Sequence, residues 1–105
     1  MNQIQIIVNN GAGTGKAFQV WNETQKLLRR YKVNYTAYAT RYRGHATRLA
    51  EKISTMEGKA QVYLIVVGGD GTINEVLNGI RDFDRVRLGV IPTGSGNDFC
   101  RNLKL

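Results

Sequence analysis

The sequence predicts one domain of the α/β class, built on an open, mainly parallel sheet. Runs of β-branched and aromatic residues alternate along the chain with segments whose apolar residues recur every three or four positions, the pattern of strands alternating with helices. The run Val62-Tyr63-Leu64-Ile65-Val66-Val67 is apolar without alternation, as a strand buried on both faces must be, and such strands belong to parallel sheets covered by helices. A length of 105 residues, 42% hydrophobic and 22% charged, gives one core and leaves no room for a second.

The elements follow in order. Ile4-Gln5-Ile6-Ile7-Val8 is a short β-rich run that halts at Asn9-Asn10-Gly11, a buried strand entering a loop. Beyond the glycines, Ala17, Trp21, Thr24, Leu28 and Tyr31 fall at helical spacing and should face inward, with Trp21 as a core anchor over the sheet. Arg29, Arg30 and Lys32 suit the carboxyl end of that helix, where cations meet its partial negative charge. Val33 to Ala39 is a second strand by composition, with Thr40 at its carboxyl end, and Gly44 breaks the pattern. Ala46, Leu49, Ala50, Ile53 and Met56 repeat the helical spacing, and Gly58 is a fitting stop. After the third strand and its glycines, Ile73, Val76, Leu77 and Ile80 supply another inward helical face, and Leu88 to Ile91 form a fourth short strand before Pro92. The ligand crevice of such a sheet lies beyond the carboxyl ends of its strands.

Composition excludes several classes. Cys100 is the single cysteine, so no intrachain disulfide forms, and it reads as semi-buried packing. The apolar run at the start is too short for a signal-peptide core or a membrane span, which makes the cytoplasm the expected compartment. The net charge of +7 attracts polyanions, whether nucleic acid, an acidic bilayer surface or nucleotide phosphates. Tyrosines interleave with basic residues from Arg29-Arg30-Tyr31-Lys32 to Arg41-Tyr42-Arg43, the one hint of nucleic-acid binding. Val33 and Tyr35 are better explained as a strand's core face and the basic residues as a solvated rim, so no nucleic-acid partner is expected. His45, alone at a helix start, reads as a surface or capping residue and makes no metal site.

Three loops of small residues follow the first, third and fourth strands: Asn9 to Gly15, Gly68 to Thr72, and Thr93 to Asp98. In a parallel sheet all three open onto one rim, where glycines let the backbone approach a ligand and helix starts present free N–H groups to an anion. The first loop is not a Walker loop, because Asn10 occupies the place of its first glycine and Ala17 that of the magnesium-binding hydroxyl. It also fails the dinucleotide fingerprint, since Lys16 replaces the third glycine, and Gly69-Asp70-Gly71 fails it at Asn74. Asp70 is unusual, because an acid between the glycines of a phosphate loop repels phosphate unless a metal ion or a proton-transfer role compensates.

Taken together, Asn9 to Gly13, Thr40 to Ala46, Gly68 to Thr72 with Asn74-Glu75 and Asn78-Gly79, and Pro92 to Asp98 resemble the diacylglycerol kinase catalytic family over nearly the whole chain. The Gly-Gly-Asp-Gly-Thr run with Asn74-Glu75 resembles a signature shared with sphingosine kinases and, more distantly, with NAD kinases and phosphofructokinases, while Pro92-Thr93-Gly94-Ser95-Gly96-Asn97-Asp98 looks like the lipid-kinase branch. An NAD-kinase-like nucleotide kinase remains the alternative enzyme. The resemblance implies a Rossmann-like three-layer α/β/α arrangement, ATP with Mg²⁺ as cofactor, and transfer of phosphate to a lipid hydroxyl such as that of diacylglycerol. It implies that Asn9, Asn10, Gly11, Ala12, Gly13, Thr40, Gly68, Gly69, Asp70, Gly71, Thr72, Ile73, Asn74 and Ser95 bind ATP, with a catalytic role for Asp70. Asn97 and Asp98 brace the loops. Asn10 and Ser95 depart from the family's usual proline and threonine, and neither change removes a hydrogen-bonding group. Such kinases carry a second, β-rich domain with the lipid pocket, a structural metal site and the general base; residues 1–105 supply none of these. The expectations are therefore a domain inactive alone, prone to self-association through the surface its partner domain covers, and an intact enzyme in peripheral contact with an anionic inner membrane surface.

Overall fold

In a computed structural model, residues 3–9, 15–57 and 61–93 are described. They form β1 (Ile4–Val8), α1 (Gly15–Arg30), β2 (Tyr35–Ala39), α2 (His45–Ser54), β3 (Val62–Gly68), α3 (Asp70–Gly79) and β4 (Val86–Pro92). The four strands make one sheet in the order β2-β1-β3-β4, and every pairing is parallel. The predicted architecture is the one observed.

The order has a direct consequence for helix placement. The chain moves from β1 to β2 in one direction, then returns across β1 to β3 and on to β4. With right-handed crossovers, this reversal puts α1 on one face and α2 with α3 on the other, giving three layers. The side-chain clusters agree: Trp21 of α1 packs with Ile6, Val8 and Val67, whereas Ala46, Ala50 and Ile53 of α2 and Ile73 and Val76 of α3 pack with Ile7, Val62, Leu64 and Val66. Ile6 and Ile7, adjacent in β1, are both fully buried and enter opposite clusters, as alternation along a doubly covered strand requires.

Polar groups caught in the interior are satisfied. Gln5, 2% exposed within β1, accepts a 2.8 Å hydrogen bond from the Tyr38 hydroxyl of the neighbouring strand. At the end of α2, the Arg85 guanidinium donates to the carbonyl of Ser54, the last residue of the helix, at 3.0 Å and to that of Met56 just beyond it at 2.7 Å, supplying donors where the helix provides none.

Three expectations are corrected at element ends. Tyr31 does not face the core but stands 70% exposed beyond the last residue of α1. The helix stops because Lys32 adopts φ 54°, with Val33 N–H donating to Leu28 O and Lys32 N–H to Arg29 O, the paired bonds of a left-handed helix stop made here without glycine. The second strand consequently begins at Tyr35 rather than Val33. The fourth strand is longer than Leu88–Ile91, because Val86 and Arg87 already pair with Val62 and Tyr63. Gly58, the expected stop of the second helix, lies outside the described residues, and α2 ends earlier at Ser54. Among the described residues no helix is long and apolar enough to cross a membrane.

Candidate functional site

The direction of the chain reverses between β1 and β3, and the crevice of an open α/β sheet lies at that switch point. Asn9 leaves β1 there and remains in the ladder, its N–H donating to Val67 O at 2.8 Å. Its side chain turns to the next loop: Asn9 Nδ2 donates to Thr72 Oγ1 at 2.9 Å across 63 residues of sequence. On the far side of β1, Thr40 N–H donates to Val8 O at 2.9 Å, so the residue that follows β2 is pinned to the same rim. Thr93 N–H donates to Gly68 O at 3.0 Å, so the loop after β4 also begins beside the glycines.

A cleft of about 510 Å³ opens between these loops. Asn9 forms its floor edge, Thr40, Arg41, Tyr42 and Arg43 line it from the β2–α2 loop, and Gly71, Thr72 and Glu75 line it from α3. The turn into α3 is tight. A Cβ on Gly68 would lie 2.8 Å from Thr72 Cβ, closer than packed atoms tolerate, so a side chain here would displace the hydroxyl that Asn9 holds. Gly69 caps α3 with extended backbone, φ −88°, and no side chain caps the helix. The N–H groups of its first turn therefore keep capacity for an anion. A Cβ on Gly71 would meet nothing within 4 Å, consistent with open space above that turn.

The expected site residues distribute unevenly over this geometry. Asn9, Thr40, Gly71 and Thr72 line the cleft. Gly68 and Gly69 form the turn behind it, and Asp70 is the exposed first residue of α3. Ile73 is fully buried in the core beneath α2 and α3, so what it offers the rim is backbone, its N–H already donating to Gly69 O at 3.0 Å. Asn74 is exposed on α3. Asn10, Gly11, Ala12, Gly13 and Ser95 lie outside the described residues, as do Asn97, Asp98 and Cys100. Among the described residues no group of three or more His, Cys, Asp or Glu gathers to hold a metal.

Four residues join the cleft that sequence reasoning did not place there: Arg41, Tyr42, Arg43 and Glu75. The basic pair reads in sequence as a solvated rim, and Glu75 as one letter of a signature. The loop that carries the arginines is bonded internally, with Arg41 N–H donating to His45 Nδ1 at 2.9 Å and the Tyr42 ring stacked on His45 at 4.4 Å between centroids. His45 at the start of α2 therefore bonds the loop before the helix and does not cap the helix itself.

Comparison with known proteins agrees with this architecture. The model of a family described as the diacylglycerol kinase catalytic domain matches residues 3–105. A protein of Bacillus subtilis (strain 168), YtlR, provisionally named a lipid kinase, is 41% identical over 99 residues, covering 94% of this chain and 32% of the relative. A diacylglycerol kinase of Staphylococcus epidermidis is 48% identical over 82 residues, covering 75% of this chain and 25% of the relative. A crystal structure from Bacillus anthracis str. Sterne, provisionally named a diacylglycerol kinase, superposes with a TM-score of 0.72 at 27% identity, covering 98% of this chain and 37% of that one. The chain therefore spans about a third or less of the two curated relatives, 32% and 25% of their lengths.

Proposed function

Because the chain belongs to the diacylglycerol kinase catalytic domain family, we propose that it is the nucleotide-holding domain of a lipid kinase, which transfers the γ-phosphate of ATP to a lipid hydroxyl. The observation that carries this reading is the meeting of Asn9 and Thr40, which follow β1 and β2, with Thr72 in the first turn of α3 on one cleft at the switch point of the sheet, the Asn9–Thr72 hydrogen bond tying the end of β1 to α3.

Phosphoryl transfer is catalysed almost entirely by positioning and by stabilising charge on the transferred group. The cradle fits that task. The first turn of α3, from Asp70 to Thr72, would hold phosphates with its N–H groups, and the space over Gly71 would admit them without meeting a side chain. Magnesium carried on the phosphates neutralises their charge; it keeps several waters and needs few protein carboxylates, which suits a helix whose first turn holds the single acid Asp70. The lipid pocket and the general base belong to the further domain this family possesses, so this domain by itself would bind nucleotide without efficient transfer.

The test is an amide NMR titration of this chain with magnesium-ATP, beside the variant Gly69→Asp. Gly69 has φ −88°, which aspartate adopts without strain, and aspartate is favoured as a helix cap, so the variant keeps α3 while placing a carboxylate where phosphate would sit. Shifts centred on residues 68–74 and Thr40 in the parent, absent from the variant, are the expected result. No localised shift in the parent would overturn the reading.

A further inference from the structure

Helix α2 begins without any cap of its own. Its N-cap is Gly44, at φ 90°, no side chain near it in sequence bonds its first turn, and that turn holds no acidic residue. The missing acceptor comes from another helix. Gly44 N–H donates to Glu75 Oε2 at 3.1 Å, and the Thr47 hydroxyl donates to the Glu75 carbonyl at 2.8 Å, so one residue of α3 grips the start of α2 through both its side chain and its backbone. A carboxylate at a helix N-terminus is also favoured by the helix dipole.

The reach depends on Gly79, one turn further along the same face of α3. A Cβ there would run into the Thr47 carbonyl and come within 2.9 Å of Ala50 Cβ, so α3 lies against α2 only because that position is glycine. Close approach at Gly79 sets Glu75 opposite Gly44.

What the grip holds is the arm of the cleft. Between Thr40, anchored on Val8 O, and Gly44, anchored on Glu75, run Arg41, Tyr42 and Arg43, all exposed and all lining the cleft. Among the described residues neither Arg41 nor Arg43 makes an ion pair, and both face a cavity that α3 borders with an uncapped N-terminus. We propose that Glu75 is a positioning residue for nucleotide, a latch between α3 and the β2–α2 loop that holds Arg41 and Arg43 toward the phosphates. Glu75 need not touch the ligand to act. This inference rests on the nucleotide reading above.

The experiment compares Glu75→Ala, Glu75→Gln, the pair Arg41→Ala with Arg43→Ala, and the combination of that pair with Glu75→Ala. Two quantities are read on each: exchange protection of the Gly44 amide without ligand, and magnesium-ATP affinity by calorimetry. Glu75→Ala should lose the Gly44 protection and weaken affinity about ten-fold, the order expected for one charge-assisted hydrogen bond. Glu75→Gln, which keeps an amide oxygen to accept from Gly44, should recover most of both. Once the arginines are gone, Glu75→Ala should cost no further affinity, a non-additivity that general loosening of the fold would not produce. Nucleotide binding by the parent with undiminished affinity in Glu75→Ala would overturn the latch and leave the nucleotide reading standing. Absence of binding by the parent would overturn both, whatever happens at Gly44.

Discussion

The two faces of the sheet are covered to different depths. On one, α2 and α3 close over a cluster that includes ten buried residues among those described, running from Ile7 in β1 through Leu64 and Val66 in β3 to Ile80. On the other, α1 rests on a cluster of four, Ile6, Val8, Val67 and Trp21, and keeps Phe18 and Leu27 more than half exposed, at 53% and 54%. The polar contacts follow the same asymmetry, since Glu75, Thr47, Ser54 and Arg81 bond across α2, α3 and the segment after α3. The difference teaches where rigidity is spent. The loops that line the cleft from the β2–α2 and β3–α3 connections are extensions of the densely packed face, so the site inherits its geometry from α2 and α3, while α1 meets the sheet through Trp21 and Ala17 with Val20 and Leu28 partly buried beside them.

That contrast can be broken experimentally. The largest expected effect is on the dense face: Leu64→Ala, at a fully buried position in β3, should lower unfolding free energy by about 4 kcal/mol, within the range for buried leucine truncation. Trp21→Ala removes a larger side chain from the thin face, yet should cost only about 3 kcal/mol, the low end for tryptophan, because the indole is 8% exposed and its cluster is small. Urea denaturation gives both values, and amide exchange should show α1 opening on its own in the second variant. A greater loss for Trp21→Ala than for Leu64→Ala would reverse the comparison. Next in size, Gly79→Ala should cost about 2 kcal/mol by wedging α3 off α2, and the same urea series measures it. Smallest of all, Leu27→Gln on the open side of α1 should change stability by no more than about 0.5 kcal/mol, while reducing any self-association seen by sedimentation at high concentration. Unchanged association would place the contact elsewhere.

The sequence was informative wherever physics acts locally. The β3 run, apolar on both faces, could be nothing but an interior parallel strand, and Ile73 and Val76 announced the buried face of α3 by their spacing. Helix α1 overran in the reading because the periodicity carries through Tyr31 and the usual glycine stop is absent; Lys32 makes the left-handed stop instead, at a conformation few side chains adopt. Within the site, Asn9 and the Gly68–Thr72 turn are legible because small-residue loops after strands mark the rim, whereas Thr40 enters only through the family resemblance. Glu75 was not, because its bond to Gly44 joins positions 31 residues apart and depends on the helix spacing that Gly79 permits. Arg41 and Arg43 look the same in sequence whether they fringe the surface or wall a cleft, and tertiary placement alone separates the two.

The strand order also bears on how the chain is made. β1 lies in the interior of the sheet, and one of its neighbours, β3, is complete only at Gly68. During synthesis at roughly 5–20 residues per second, Ile6, Ile7 and Val8 wait several seconds for the partner that covers them. Through that interval the nascent segment can pair with β2 alone, leaving a sticky flank for chaperones to shield, and a ribosome stalled before Gly68 would present a chain with no means of closing its own sheet.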